Sequence, residues 1–229
     1  MSASDKDSAG DLLIQEVDEE LRREQYQKLW KRHGNVIVAA VVAVVAVVAG
    51  YQGWQEWQSR ARQKEAAAFT AAEDLLTQGK TQEAADALGR LAADGRTGFV
   101  IASAMRRAEL QISQGDTAAA AATYDQIAGS SASAFYRDLA VLKLALLTLD
   151  SADPAKLEGR IAPISQIANP WHSSAIEILA LLSQKKGDVQ HAVELYKQLA
   201  DDLLAPAGIR ARAVEMLAVL APAADKAKG

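Results

Sequence analysis

Apolar residues follow two patterns along this chain. The first is unbroken: residues 36–49 are eight Val, one Ile and five Ala. The charge-free stretch around them is longer, from Gly34 to Gln55. As a helix it rises about 33 Å at ~1.5 Å per residue, enough for a hydrocarbon layer of ~30 Å. The second pattern is periodic. From residue 58 onward, apolar positions recur at helical spacing between short polar turns. They predict helix pairs 58–77 with 82–93, 97–113 with 117–128, 134–149 with 154–167, and 172–186 with 188–203. Pro206 opens a last helix, 207–220, whose Ile209, Val214, Leu217 and Leu220 cap the open end of the series. The chain therefore reads as all-α, with five parts. Residues 1–10 are disordered, 11–33 form a juxtamembrane helix, 34–55 span a membrane, 56–221 form the helical domain and 222–229 a flexible tail.

The flanks of the unbroken run support a membrane reading over a buried core helix or strand. Trp30 precedes it; Tyr51, Trp54 and Trp57 follow it. Such amphipathic aromatics prefer the headgroup level. The run begins after 35 residues rich in acids, unlike a cleaved signal peptide with its short basic lead. Lys31 and Arg32 sit at the N-side edge, whereas the first charge beyond the run is Glu56. This places the N-terminus in the cytoplasm and the C-terminal part outside. Within the span, Ala39, Ala43, Ala46, Gly50 and Gly53 recur at intervals of four and three, one stripe of small residues suited to close helix packing. In the preceding segment, Asp18–Arg22, Glu19–Arg23 and Glu24–Lys28 are i,i+4 pairs with the acid first, which supports a helix.

The periodic part repeats itself. Gly79, Gly115 and Gly187 stand in the turns, 36 and then 72 residues apart. After each glycine, a small residue follows at +5 (Ala84, Ala120, Ala192) and a larger one at +9 (Leu88, Tyr124, Tyr196). A further apolar residue follows at +12 (Leu91, Ile127, Leu199). The missing turn falls at Asp150 to Pro154, without its glycine. Glycine accepts the left-handed conformation that ends a helix, alanine lets paired helices approach, and the larger residue fills the space beside the next pair. The pattern resembles a degenerate tetratricopeptide repeat. It departs from that motif in lacking the usual Trp near the repeat start and the usual closing Pro.

Composition narrows the function classes. Alanine accounts for 48 of 229 residues, and only 5% are aromatic, which favours helices over strands. There is no cysteine, and the net charge is −4, too acidic for an electrostatic nucleic-acid binder. No phosphate-binding loop, zinc-protease helix, nucleophile elbow or paired-acid motif occurs. His33 flanks the span, His172 starts a helix, and His191 precedes a repeat alanine, so none suggests a metal ligand. No enzymatic activity, cofactor or small-molecule substrate is expected.

The whole arrangement resembles the YfgM-like ancillary subunit family of the bacterial Sec translocon. The resemblance rests on the anchor ending in Gly50-Tyr51-Gln52-Gly53-Trp54-Gln55-Glu56-Trp57, the Ala-rich helix from Gln63 to Leu76, and the degenerate repeats behind it. The segment Val17-Asp18-Glu19-Glu20-Leu21-Arg22-Arg23-Glu24 is similar to the alphaproteobacterial branch and longer than the enterobacterial version. The resemblance implies a single-pass inner-membrane protein with its repeats in the periplasm. Its implied partners are translocon membrane subunits, a membrane-anchored periplasmic chaperone and exported proteins. A cell-envelope scaffold for cell-wall, division or outer-membrane assembly factors is the alternative. Tetratricopeptide geometry would place Phe69, Glu73, Met105, Glu109, Val141 and Glu177 on the concave, client-facing side, where the acids would disfavour anionic clients.

Overall fold

The structure, a computed structural model, describes the backbone of residues 4–95 and 98–226, and the side chains of 30–31, 33–36, 38–95 and 98–220. Among the described residues there are nine helices and no strand. They are α1 (Ser4–Thr77), α2 (Thr81–Asp94), α3 (Phe99–Ser113), α4 (Thr117–Ala128), α5 (Ala134–Leu147), α6 (Pro154–Ile161), α7 (His172–Lys185), α8 (Val189–Asp201) and α9 (Ala207–Lys226). The chain divides into two compact units, Met1–Arg60 and Ala61–Gly229.

In the first unit, α1 already includes residues 4–10, which the sequence pattern leaves without structure. The side chains of 11–29, and with them the expected i,i+4 ion pairs, lie outside the described residues. The valines of the apolar run are 47–72% exposed. Part of α1 is long and apolar enough to cross a membrane. Trp30 folds its indole over Gly34, where an added Cβ would meet the ring at 3.4 Å. Tyr51, Trp54 and Trp57 are exposed, and the rings of Trp54 and Trp57 lie 5.6 Å apart.

The second unit is a stack of antiparallel helix pairs, and its turns explain the repeat. Gly79, Gly115 and Gly187 adopt φ of 75°, 82° and 79°. At each, the glycine N–H donates to the carbonyl three residues back, and the next N–H to the carbonyl five back: Gly115 to Ile112 at 2.9 Å and Asp116 to Gln111 at 2.8 Å, for example. This is the Schellman ending, which a side chain at the left-handed position would strain. Asp116 and Asp188 then cap the following helices by accepting the N–H of Ala119 and His191. The +5 alanines (Ala84, Ala120 and Ala192) are fully buried at 0% exposure. Leu88, Tyr124 and Tyr196 beside them are at most 1% exposed.

The glycine-free third turn works differently. Asp153 caps α6 through the Ala155 N–H, with Pro154 in the first helical turn. Helix α6 ends at Ile161 instead of the expected 167, because Pro163 lacks the N–H that would continue the hydrogen-bond ladder. The core is filled there by Leu157, Ile161 and Ile164. At the far end, Ile209 and Ala213 of α9 pack on the cluster around Tyr196, with Leu217 and Leu220 against it. Helix α9 continues to Lys226, past the expected stop at 220 and into the stretch 222–229 read as a flexible tail. Alanines at 221, 223 and 224 favour that extension.

Candidate protein-interaction groove

The first helices of the pairs (residues 61–77 of α1, then α3, α5, α7 and α9) carry all six residues expected to face a client. Three are apolar and turn toward the core. Phe69 packs on the cluster of Ala72, Ala84, Leu88 and Leu110, its ring 5.8 Å from that of Phe99. Met105 packs against the cluster around Ala120 and Tyr124, and Val141 against that of Leu142 and Leu157.

The three acids are engaged by bases on the next first helix. Arg106 donates to both carboxylate oxygens of Glu73, at 2.7 Å and 2.9 Å. Glu109 accepts from Arg106 at 3.4 Å and from Lys143 at 3.1 Å. Arg212 holds Glu177 in a two-pronged bond at 2.6 Å and 2.8 Å. The Glu73 hydrogen bond, helped by the charges of Glu73 and Glu109, pushes the Arg106 guanidinium above its usual range. The bond that Arg212 donates to Glu177 does the same for Arg212. These partners are 33 to 35 residues apart, so the charges tie successive pairs together. The expected acidic face is therefore neutralised, and the expected bias against anionic clients loses its basis.

Of the six, Glu177 lines a groove. It is a depression of about 540 Å³ between α5, α7 and α9. Leu139, Leu142 and Leu146 form one wall, Ile178 and Leu181 the next, and Met216 the third, with Trp171 among the lining residues. Lys143, Glu177, Arg212 and Glu215 supply the polar lining. Tyr196 of α8 also lines it, and its hydroxyl is bonded to Gln184 Nε2 at 2.7 Å. Burial pushes that phenol up to about 12 and outweighs the Gln184 bond, so it stays protonated at physiological pH. Leu146 is 53% exposed, which leaves an apolar anchor point open to a partner.

Polar contacts fasten α5 to α7 at both ends of the groove. At the N-terminal ends, Trp171 Nε1 donates to the Phe135 carbonyl at 2.9 Å, and Asn169 Nδ2 to Asp138 at 2.7 Å. The Phe135 and Trp171 rings lie 4.8 Å apart. At the other end, Lys185 Nζ donates to the Leu149 carbonyl and pairs with Asp150 at 3.6 Å. Between the fastenings the facing side chains are mostly aliphatic, with Lys143, Ser174 and Glu177 as the polar members.

The family model for the tetratricopeptide repeat-like domain matches residues 27–216. The chain belongs to the tetratricopeptide repeat-like domain family. Among solved structures it is similar to the nearly identical TPR-like repeats of a Podosopora anserina putative kinesin light chain, in two forms. One shows 19% identity and a TM-score of 0.52, the other 20% and 0.51; each match covers 70% of this chain and 86% of the other. At that identity the likeness concerns the fold alone. No curated protein matches. In this tetratricopeptide repeat-like domain, the groove lies over the last repeats. Its signal in the sequence was a set of apolar residues left over after the core positions are assigned: Leu139, Leu146, Leu181 and Met216.

The small-residue stripe of α1 stands apart from this. Ala39, Ala43, Ala46, Gly50 and Gly53 are all exposed, and a Cβ added at Gly50 or Gly53 would meet nothing within 4 Å.

Proposed function

We propose that this chain is a membrane-anchored, non-enzymatic protein-interaction module of the bacterial inner membrane. In this reading residues 34–55 span the membrane, the segment 11–33 is cytoplasmic and the repeats lie in the periplasm. They act beside the SecYEG translocon, with a periplasmic chaperone, on exported proteins. The observation that carries the interaction role is the largely aliphatic groove, whose Lys143, Glu177 and Arg212 already stand in ion pairs. It suits apolar segments of a partner and carries little net charge to select against ionic ones. The exposed valine run and the aromatic residues around it support the anchor. The open space at Gly50 and Gly53 supports a membrane helix packing on the small-residue stripe.

A photoreactive residue placed at Leu146 or Leu181 in cells should crosslink to a translocon subunit, a periplasmic chaperone or exported chains, whereas one at Gln82, exposed on α2, should not. Capture of division, cell-wall or outer-membrane assembly proteins instead would establish the scaffold alternative. Equal crosslinking from both positions would refute the groove. For topology, a cysteine at Ser113 should react with an impermeant thiol reagent in spheroplasts and one at Ser4 should not. The reverse would overturn the orientation.

A further inference from the structure

The three most exposed large apolar side chains among the described residues are Leu204 (92%), Ile167 (87%) and Leu203 (86%). They sit on two loops of the repeat domain, α6–α7 and α8–α9, and none of them lines the aliphatic groove. Both loops are fixed by their own hydrogen bonds. Asp202 accepts the Leu204 N–H at 2.8 Å, and Arg210 donates to the Leu203 carbonyl at 2.9 Å. Buried Ala205 pins the same loop from beneath. In the other loop, His172 Nδ1 lies 2.6 Å from the Ser165 carbonyl, and the Asn169 N–H donates to Gln166 at 2.9 Å. The aliphatic side chains are thus held out by ordered backbone.

Ile167 and Leu204 border a depression of about 420 Å³ whose walls include Pro170 and Pro206 together with the polar His172, Gln198 and Asp202. Projecting aliphatics and a partly apolar hollow therefore lie side by side on one patch. That is the requirement for a two-fold contact, in which each copy supplies both the projection and the cavity.

We propose that this patch is a homodimer interface, with Leu204 of each copy seated in the hollow of the other. The area agrees: three aliphatic side chains this exposed present roughly 500 Å² per copy, so pairing removes on the order of 1,000 Å², the lower bound for a specific interface and the range of a reversible dimer.

The chain has no cysteine, so single thiols report the contact cleanly. Two versions of the full chain in detergent, Leu204→Cys and Gln198→Cys, are mixed and treated with a short bis-maleimide. Gln198 lines the hollow and is exposed. Crosslinking between the two should run at least ten-fold faster than between Leu204→Cys and Ser113→Cys. Adding Ile167→Asp to both partners should return it to the control rate, with an unchanged helical spectrum and melting temperature. No excess over the control, or an excess that survives Ile167→Asp, would overturn the proposal. So would a lack of excess together with a blue shift of a polarity-sensitive dye at Leu204→Cys on vesicles of phosphatidylethanolamine and phosphatidylglycerol, which would make the patch a lipid contact. None of these outcomes bears on the groove between α5, α7 and α9, whose crosslinks are read separately.

Discussion

Replacing Gly115 and Gly159 by alanine should move stability in opposite directions. Gly115 has φ of 82°, and a Cβ there would meet no atom within 4 Å, so its cost is backbone strain and not a clash. A non-glycine residue in the left-handed region costs roughly 1–2 kcal/mol. The stiffer unfolded chain returns about 0.4–1 kcal/mol. The net is a loss of about 1 kcal/mol. Gly159 is helical, inside α6, and also has open space at Cβ. Alanine there gains up to ~1 kcal/mol in a helix interior, and near the end of so short a helix about 0.5. The two variants should then differ by about 1.5 kcal/mol, or roughly 3–6 °C in Tm for a domain of this size. Thermal melts of the full chain in detergent, followed by circular dichroism, measure the difference. Hydrogen exchange adds a local check: in Gly115→Ala, protection should fall first at the Asp116 amide, which donates to Gln111 at 2.8 Å. A Gly115→Ala protein as stable as the parent, or shifts of the same sign in both variants, would refute the account of the turns.

Tyr196→Phe should flatten the loss of stability in base. The folded phenol is raised to about 12 from 10.0, so its stabilisation is complete below pH 10 and lost as pH rises from 10 toward 12; melts between pH 9 and 11.5 should show a steeper fall in the parent, and equal slopes would count against burial as the cause. A double-mutant cycle on Glu177→Gln and Arg212→Gln should give a coupling of about 0.5–1 kcal/mol, since the carboxylate side chain is only 18% exposed, and more than the ~0.3–0.5 of the exposed Glu56–Arg60 pair; urea titrations of the four proteins decide it. Ser103→Ala should stabilise by about 1 kcal/mol, because its hydroxyl is buried at 0% exposure without a partner; a destabilised variant would mean that the hydroxyl is satisfied.

The turns and the small–large alternation were legible because each depends on a residue type. Left-handed backbone selects glycine, and close helix approach selects alanine, so Gly79, Gly115, Gly187 and the buried Ala84, Ala120, Ala192 stand out at fixed spacing. The third repeat was not, since Asp153 and Pro154 perform the same turn by other chemistry and Pro163 shortens α6. The candidate site was read less well for a geometrical reason. Aligning on glycines relates equivalent positions 36 residues apart, whereas Glu73, Glu109 and Glu177 find their partners 33, 34 and 35 residues on. A carboxylate that looks available in one repeat is thus claimed by the next. Likewise, Phe69, Met105 and Val141 lie where neighbouring pairs meet, so their apolar character records packing.

The fastenings at the two ends of α5 and α7 have a kinetic consequence. Trp171 and Asn169 hold one end, Lys185 the other, and the aliphatic span between them cannot collapse without breaking those bonds. The cleft is therefore preorganised, and admitting a guest requires no prior opening of the scaffold. The backbone on this side has little further freedom to lose. Association should accordingly proceed in a single phase, linear in guest concentration, with differences between guests appearing in how slowly they leave.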